Sequence, residues 1–190
     1  PNAASLMQSL RAFGYDICTA IADLIDNSIT AGATKISIRF EWNDGRPWIS
    51  ISDNGYGMSE KTLFEAMKMG SKNPLELRDE KDLGRFGLGL KTASFSQCTR
   101  FTVATRPDSG QVSVRGWDLD IVTKENDWVL LKSASEEVER LIDTFFEVNK
   151  SGTIVIWENL DKIIPGKRIE DEEYQKAFIS YARNVKEHLA

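Results

Sequence analysis

The sequence predicts an α+β fold, a mostly antiparallel sheet with helices packed on one face. Two observations predict it. Strand-like stretches are joined by tight turns into hairpins, and stretches of helical periodicity are mixed in among them. Residues from about Ser5 to Thr30 read as helix with a break at Gly14, because Ile17, Ala20, Ile21, Leu24 and Ser28 form an apolar stripe. Gly32 ends that helix. From Lys35 to Phe40 the chain alternates, with Ile36, Ile38 and Phe40 on one face. Asn43-Asp44-Gly45 is a turn signal, and Trp48 to Ser52 completes a hairpin.

A second turn falls at Asp53-Asn54-Gly55, after which Ser59 caps a helix running through Met69. Gly70 to Asp82 is polar, contains Pro74 and has no periodicity, so it reads as a long loop. A helix is expected from about Gly87 to Phe95, then strands at Arg100–Thr105, Val112–Asp118 and Trp128–Lys132. Ser135 to Phe146 places Val138, Leu141, Ile142 and Phe145 on one helical face. Thr153 to Trp157 is a short strand, and Glu170 onward is a terminal helix.

The bulk properties narrow the function classes. The 190 residues suffice for one domain with a real core, and we read 1–190 as a single domain. A net charge of -5 with no basic run gives no nucleic-acid footprint. No apolar stretch reaches membrane-spanning length. Cys18 and Cys98 read as buried thiols of a reducing compartment, which suggests a cytoplasmic protein. His188 reads as a solvated surface residue. The chain starts at Pro1 and ends in helical sequence, so we expect an N-terminal fragment of something longer.

Three constellations carry chemistry. Asp23 and Asn27 are four apart and project from one helix face beside the apolar stripe, where a carboxylate and a carboxamide need partners. As plain sequence they are equally two surface polar residues, and Asp26 has a structural role. Asp53-Asn-Gly-Tyr-Gly-Met58 follows a strand. It is a turn, or a site where a strand-end carboxylate accepts from an exocyclic amine while Gly55 and Gly57 leave room for a flat ring and Met58 supplies a soft apolar contact. The third runs from Leu83 to Ser94, where Gly84, Gly87 and Gly89 lead into a helix. A helix start there offers unpaired N–H groups to phosphate, with Lys91 nearby; the other reading is a hinge before a core helix. A P-loop is not matched, since Leu90 separates Gly89 from Lys91.

In this order the three segments resemble the GHKL ATPase superfamily, which includes gyrase B, the ninety-class heat-shock chaperones, MutL, MORC proteins and sensor histidine kinases. DLIDNSITAGA resembles its N-box, DNGYGM its first glycine box and GRFGLGLKTAS its second; Gly152-Thr153 resembles the element closing the adenine pocket. The likeness spans roughly Ala20 to Ile156 and is nearest to the MORC-like and MutL-like branch.

The resemblance implies a two-layer α/β sandwich of the Bergerat type, a mixed, mostly antiparallel sheet with helices on one face. It also implies ATP and Mg²⁺ as cofactors. Asn27 matches the residue that holds Mg²⁺, with Ala31 further along the same box. Asp53 matches the adenine-recognising carboxylate, with Gly55, Gly57, Met58 and Thr153 around the ring. Gly84, Arg85, Phe86, Gly87, Leu88, Gly89, Leu90 and Lys91 match the phosphate-binding segment, and Gly70–Asp82, with Lys72, the lid. Asp23 falls where hydrolytic relatives carry a catalytic Glu, one methylene longer, about 1.5 Å. Thr30 replaces an acidic residue often found in the family. The implied function is ATP hydrolysis to ADP and phosphate, with lid closure driving an ATP-dependent homodimer in a larger protein. No membrane is involved, and nucleic acid would be reached only through other regions. A non-catalytic ATP sensor is the alternative. A sensor-type kinase is a third reading, with no upstream phospho-accepting His to support it.

Overall fold

Ile36–Glu41 (β1), Trp48–Asp53 (β2), Arg100–Arg106 (β3), Ser113–Asp118 (β4) and Gly152–Glu158 (β5) form one sheet in the order β1-β2-β5-β3-β4. All four pairings are antiparallel. The computed structural model describes residues 3–12, 15–69, 89–163 and 172–189. The expected break at Gly14, the loop Gly70–Asp82 and the start of the third helix lie outside those residues. The helices are Ala3–Ala12 (α1), Ile17–Thr30 (α2), Glu60–Met67 (α3), Gly89–Gln97 (α4), Leu119–Glu125 (α5), Glu136–Val148 (α6) and Glu172–His188 (α7). The α+β class read from the sequence is the observed one.

Local chemistry explains the boundaries. Asp16 caps α2 by accepting from the Thr19 N–H at 3.0 Å and the Thr19 hydroxyl at 2.6 Å. Ser59 caps α3 by accepting from the Thr62 N–H at 3.2 Å. That helix stops at Met67 and not at Met69, because Lys68 is extended, with ψ 136°. The first hairpin turns through Asn43 and Asp44, both left-handed, a conformation these short polar side chains tolerate.

Alternation along the strands makes two cores. Ile49, Ile51, Phe101, Val103, Trp117, Val155 and Trp157 pack with residues of α1–α5 and α7. The two indoles bury fully because each finds an acceptor: Trp157 Nε1 donates to Ser94 Oγ at 2.9 Å, and Trp117 Nε1 to the Met67 carbonyl at 3.0 Å. Ile154, Ile156 and Ala104 point the other way, onto Val138, Ile142 and Phe146 of α6. So α6 is an addition to the one-face arrangement expected. It covers the second sheet face with an apolar stripe.

One expected strand is corrected. Residues 128–132 contribute a single bridge, Leu131 to Gly116, and no strand. The apolar side chains there serve packing; the Trp128 ring meets Trp117 edge-on at 6.1 Å. The chain reaches them through α5, a short helix that the sequence reading missed. Asp118 caps it by accepting from the Asp120 N–H at 2.9 Å, and left-handed Asn126 ends it.

Trp157 joins the central strand to the helix layer. We predict that Trp157→Ala lowers the unfolding free energy in urea by about 3–5 kcal/mol, whereas Tyr56→Ala, at a 62 % exposed position, leaves it nearly unchanged.

Candidate functional site

The site begins with strand order. Because β5 inserts between β2 and β3, register places Asp53 beside Thr153 and Thr153 beside Thr105. Asp53 is a carboxylate at 7 % exposure, and a group so buried needs partners. Its Oδ2 accepts from the Ser28 hydroxyl and its Oδ1 from the Gly55 N–H, each at 2.9 Å. Burial pushes its pKa up, and the hydrogen bonds from Gly55, Ser28 and Thr153 pull the other way. Lone pairs on both oxygens remain for an incoming donor.

Close backbone approaches surround this carboxylate. A Cβ on Gly55 would lie 2.6 Å from the Ala31 carbonyl oxygen, so Ala31 sits directly against the turn; the Tyr56 N–H also donates to that oxygen at 3.0 Å. Gly57, at φ +66°, presses on the end of β3, where a Cβ would stand 2.1 Å from the Arg106 carbonyl oxygen. Gly152, at φ +136°, does the same to Asp53, where a Cβ would lie 2.0 Å from its carbonyl oxygen. Thr105 ties the pieces together. Its hydroxyl accepts from the Met58 N–H at 2.8 Å, lies 3.0 Å from the Thr153 hydroxyl and bonds the Gly152 carbonyl at 3.0 Å.

Asp53, Gly55, Gly57, Met58, Thr153 and Ala31 are thus brought together. Two residues here escaped the sequence reading as site residues. Ser28 was counted only in the apolar stripe, although a hydroxyl in such a stripe was itself a signal. Thr105 carried no local signal, since only β5 insertion brings it to Met58.

Asp23 and Asn27 lie on α2, half-buried and exposed respectively. Burial raises the Asp23 pKa, a hydrogen bond from Tyr15 opposes that, and the Asp26 charge adds to it. Among the described residues no cluster of His, Cys, Asp or Glu could hold a metal by itself. Gly89 opens α4, which packs alongside α2, and Leu90 packs against the core. Lys91 departs from the expected phosphate contact. It is 1 % exposed, and its ammonium donates to the carbonyls of Ala66 at 2.7 Å and Lys68 at 2.8 Å, at the C-terminal end of α3. A cation is stabilised there by unpaired carbonyls and the helix dipole. Gly84, Arg85, Phe86, Gly87 and Leu88 lie outside the described residues, as does Lys72.

A buried strand-end carboxylate, a glycine turn against a helix end and a threonine pair on neighbouring strands thus meet at one end of the sheet. The chain belongs to the histidine kinase-, DNA gyrase B- and HSP90-like ATPase family, whose model matches residues 15–153. It is an ATP-binding module of that family. Among curated proteins it is similar to the DNA mismatch repair protein MutL of Syntrophotalea carbinolica, 32% identical over 105 residues, 53% of this chain and 16% of the relative. The MutL of Pasteurella multocida is 33% identical over 110 residues, 54% and 17% of the two chains. That of Shewanella sediminis is 36% identical over 90 residues, 46% and 14%. The matches thus span less than a fifth of these relatives.

Two stability measurements probe this geometry. Gly152→Ala forces a Cβ into the Asp53 carbonyl from a left-handed backbone, and we expect a loss of about 2 kcal/mol or more in chemical denaturation. Asp53 binds its proton more tightly folded than unfolded, so wild type loses stability as pH rises from the ordinary carboxylate range through its raised pKa. Asp53→Asn has no such charge. Its melting temperature relative to wild type should therefore climb over that interval and level off above it. A constant difference across that range would show that Asp53 burial carries no such penalty.

Proposed function

We propose that the chain binds ATP with Mg²⁺ and hydrolyses it to ADP and phosphate, as the switch of a larger protein. The observation that carries this is the buried Asp53 carboxylate, held by Ser28 and Gly55 with acceptor capacity left over. In the proposed complex it accepts from the exocyclic amine of adenine. Met58 and the glycine backbone at Gly55 and Gly57 flank the ring, Ala31 lies beside it, and Thr153 supports the edge. The glycine segment Gly84–Gly89 cradles the phosphates with backbone N–H groups. Asn27 holds Mg²⁺ through one carboxamide oxygen. That donor fits an ion that keeps several waters and shares phosphate oxygens, and needs no all-protein cage. Bound there, the ion neutralises charge on the phosphates.

Asp23 is the proposed general base. Burial raises its pKa, which makes its carboxylate a stronger acceptor for a water proton. The Gly70–Asp82 segment acts as the lid, and its closure drives ATP-dependent dimerisation of the full-length protein. A second reading has one specific observation behind it: Asp23 is a methylene shorter than the family's Glu, and a shift of that size costs on the order of a hundredfold in rate. In that reading ATP binds and moves the lid, but no phosphate leaves.

Calorimetry with a non-hydrolysable ATP analogue is the direct test. Mg²⁺-dependent binding should disappear in Asp53→Ala, and binding that survives unchanged would sink the pocket assignment. Phosphate release by the full-length protein should fall at least about 100-fold in Asp23→Asn. In wild type it should decline on acidification with a midpoint above the ordinary carboxylate range, because protonated Asp23 cannot accept. Equal release by wild type and variant would remove Asp23 from the reaction.

A further inference from the structure

A cavity of about 220 Å³ lies on the sheet face away from α2, between the β1–β2 hairpin and α6. It is not the nucleotide pocket. The register explains its floor. Ser37 pairs with Ser52 and Arg39 with Ser50, so these four side chains share one face, two residues apart along each strand. Lys35 borders the same space just before β1. The three serines thus place hydroxyls on the edge strand β1 and its neighbour β2, facing this space. Ser50 is 3 % exposed and Ser52 8 %. Both line the cavity, where their hydroxyls stay accessible and, among the described residues, make no side-chain hydrogen bond, so they are open to a ligand.

The charges point the same way. Lys35 and Arg39 are exposed cations and, among the described residues, neither has a carboxylate partner. Arg39 instead stacks over the Trp48 ring at 5.4 Å, which orients its guanidinium above this face. Asp53 also borders the cavity, but its carboxylate oxygens are bonded to Ser28 and Gly55. The opposite wall is apolar, made by Leu141 and Phe145 of α6 with Ile154 of β5.

We propose that this cavity is a second ligand site, for a small phosphate monoester carrying a compact apolar group. Two cations match a dianion. Three hydroxyls match the oxygens of a tetrahedral group, and the α6 wall takes the apolar part. A carboxylate of the same size offers one charge and two oxygens, and binds more weakly. The site does not depend on ATP binding, because none of its donors belongs to the adenine pocket.

Phenyl phosphate is a suitable probe, with benzoate as the monoanionic control. Both are titrated into the ¹⁵N-labelled chain by NMR, with and without a non-hydrolysable ATP analogue. Phenyl phosphate should bind with a dissociation constant of about 1 mM or tighter. It should shift the amides of Ser37, Ser50, Ser52 and Phe145 whether or not the analogue is present, and benzoate should bind about tenfold more weakly. Lys35→Ala and Arg39→Ala sit at exposed positions where folding is safe, and each should weaken phenyl phosphate about tenfold. The proposal is overturned by any of three results: no saturable shift at these amides, affinity unchanged in both variants, or shifts confined to α2 and the Asp53 turn. Failure of the ATP analogue to bind would bear on the nucleotide reading alone.

Discussion

The structure depends on keeping one carboxylate out of water at the end of a strand. Asp53 is stabilised there by a hydroxyl from α2 and a turn amide on its two oxygens, with Thr153 of β5 beside them. That requirement fixes where α2 sits over the sheet and forces the tight turn after β2. It also explains Gly152, whose missing side chain lets β5 press against the Asp53 carbonyl. Helix placement, turn geometry and strand insertion are therefore linked through one buried acid.

The two sheet faces are put to different uses. On one face the helices bury two tryptophans, and α2 carries Asp23 and Asn27 above that packed layer. Lys91 locks α4 to the end of α3 by occupying carbonyls that the helix leaves unpaired. On the other face α6 covers only part of the sheet. Arg106 pins the end of α6, donating to the carbonyls of Phe146, Asn149 and Lys150 and stacking on the Phe146 ring at 4.8 Å. The hydroxyl-floored cavity lies beyond that covered strip.

Much was legible in the sequence alone. Alternation at Ile36, Ile38 and Phe40 and the Asn43–Gly45 turn specified the first hairpin, because side-chain period and turn chemistry are local. The stripe on α2 and the cap at Ser59 were equally local. The three boxes that carry the family resemblance are likewise short runs of sequence, although Gly55 and Gly57 answer to the distant carbonyls of Ala31 and Arg106. What failed was also instructive. Residues 128–132 have strand composition, yet become a packing segment because β4 offers them a single bridge and a tryptophan face.

Thr105, Ser28 as a ligand of Asp53, and the position of Lys91 were decided only by the tertiary structure. Thr105 reaches Met58 because β5, arriving late in the chain, inserts between β2 and β3. Nothing in the spacing of 58, 105 and 153 encodes that contact. The sequence alone determined most of the helices and strands, because their periodicity, caps and turns are local. Strand order, which depends on burying both faces of the sheet at once, decided which of their residues meet.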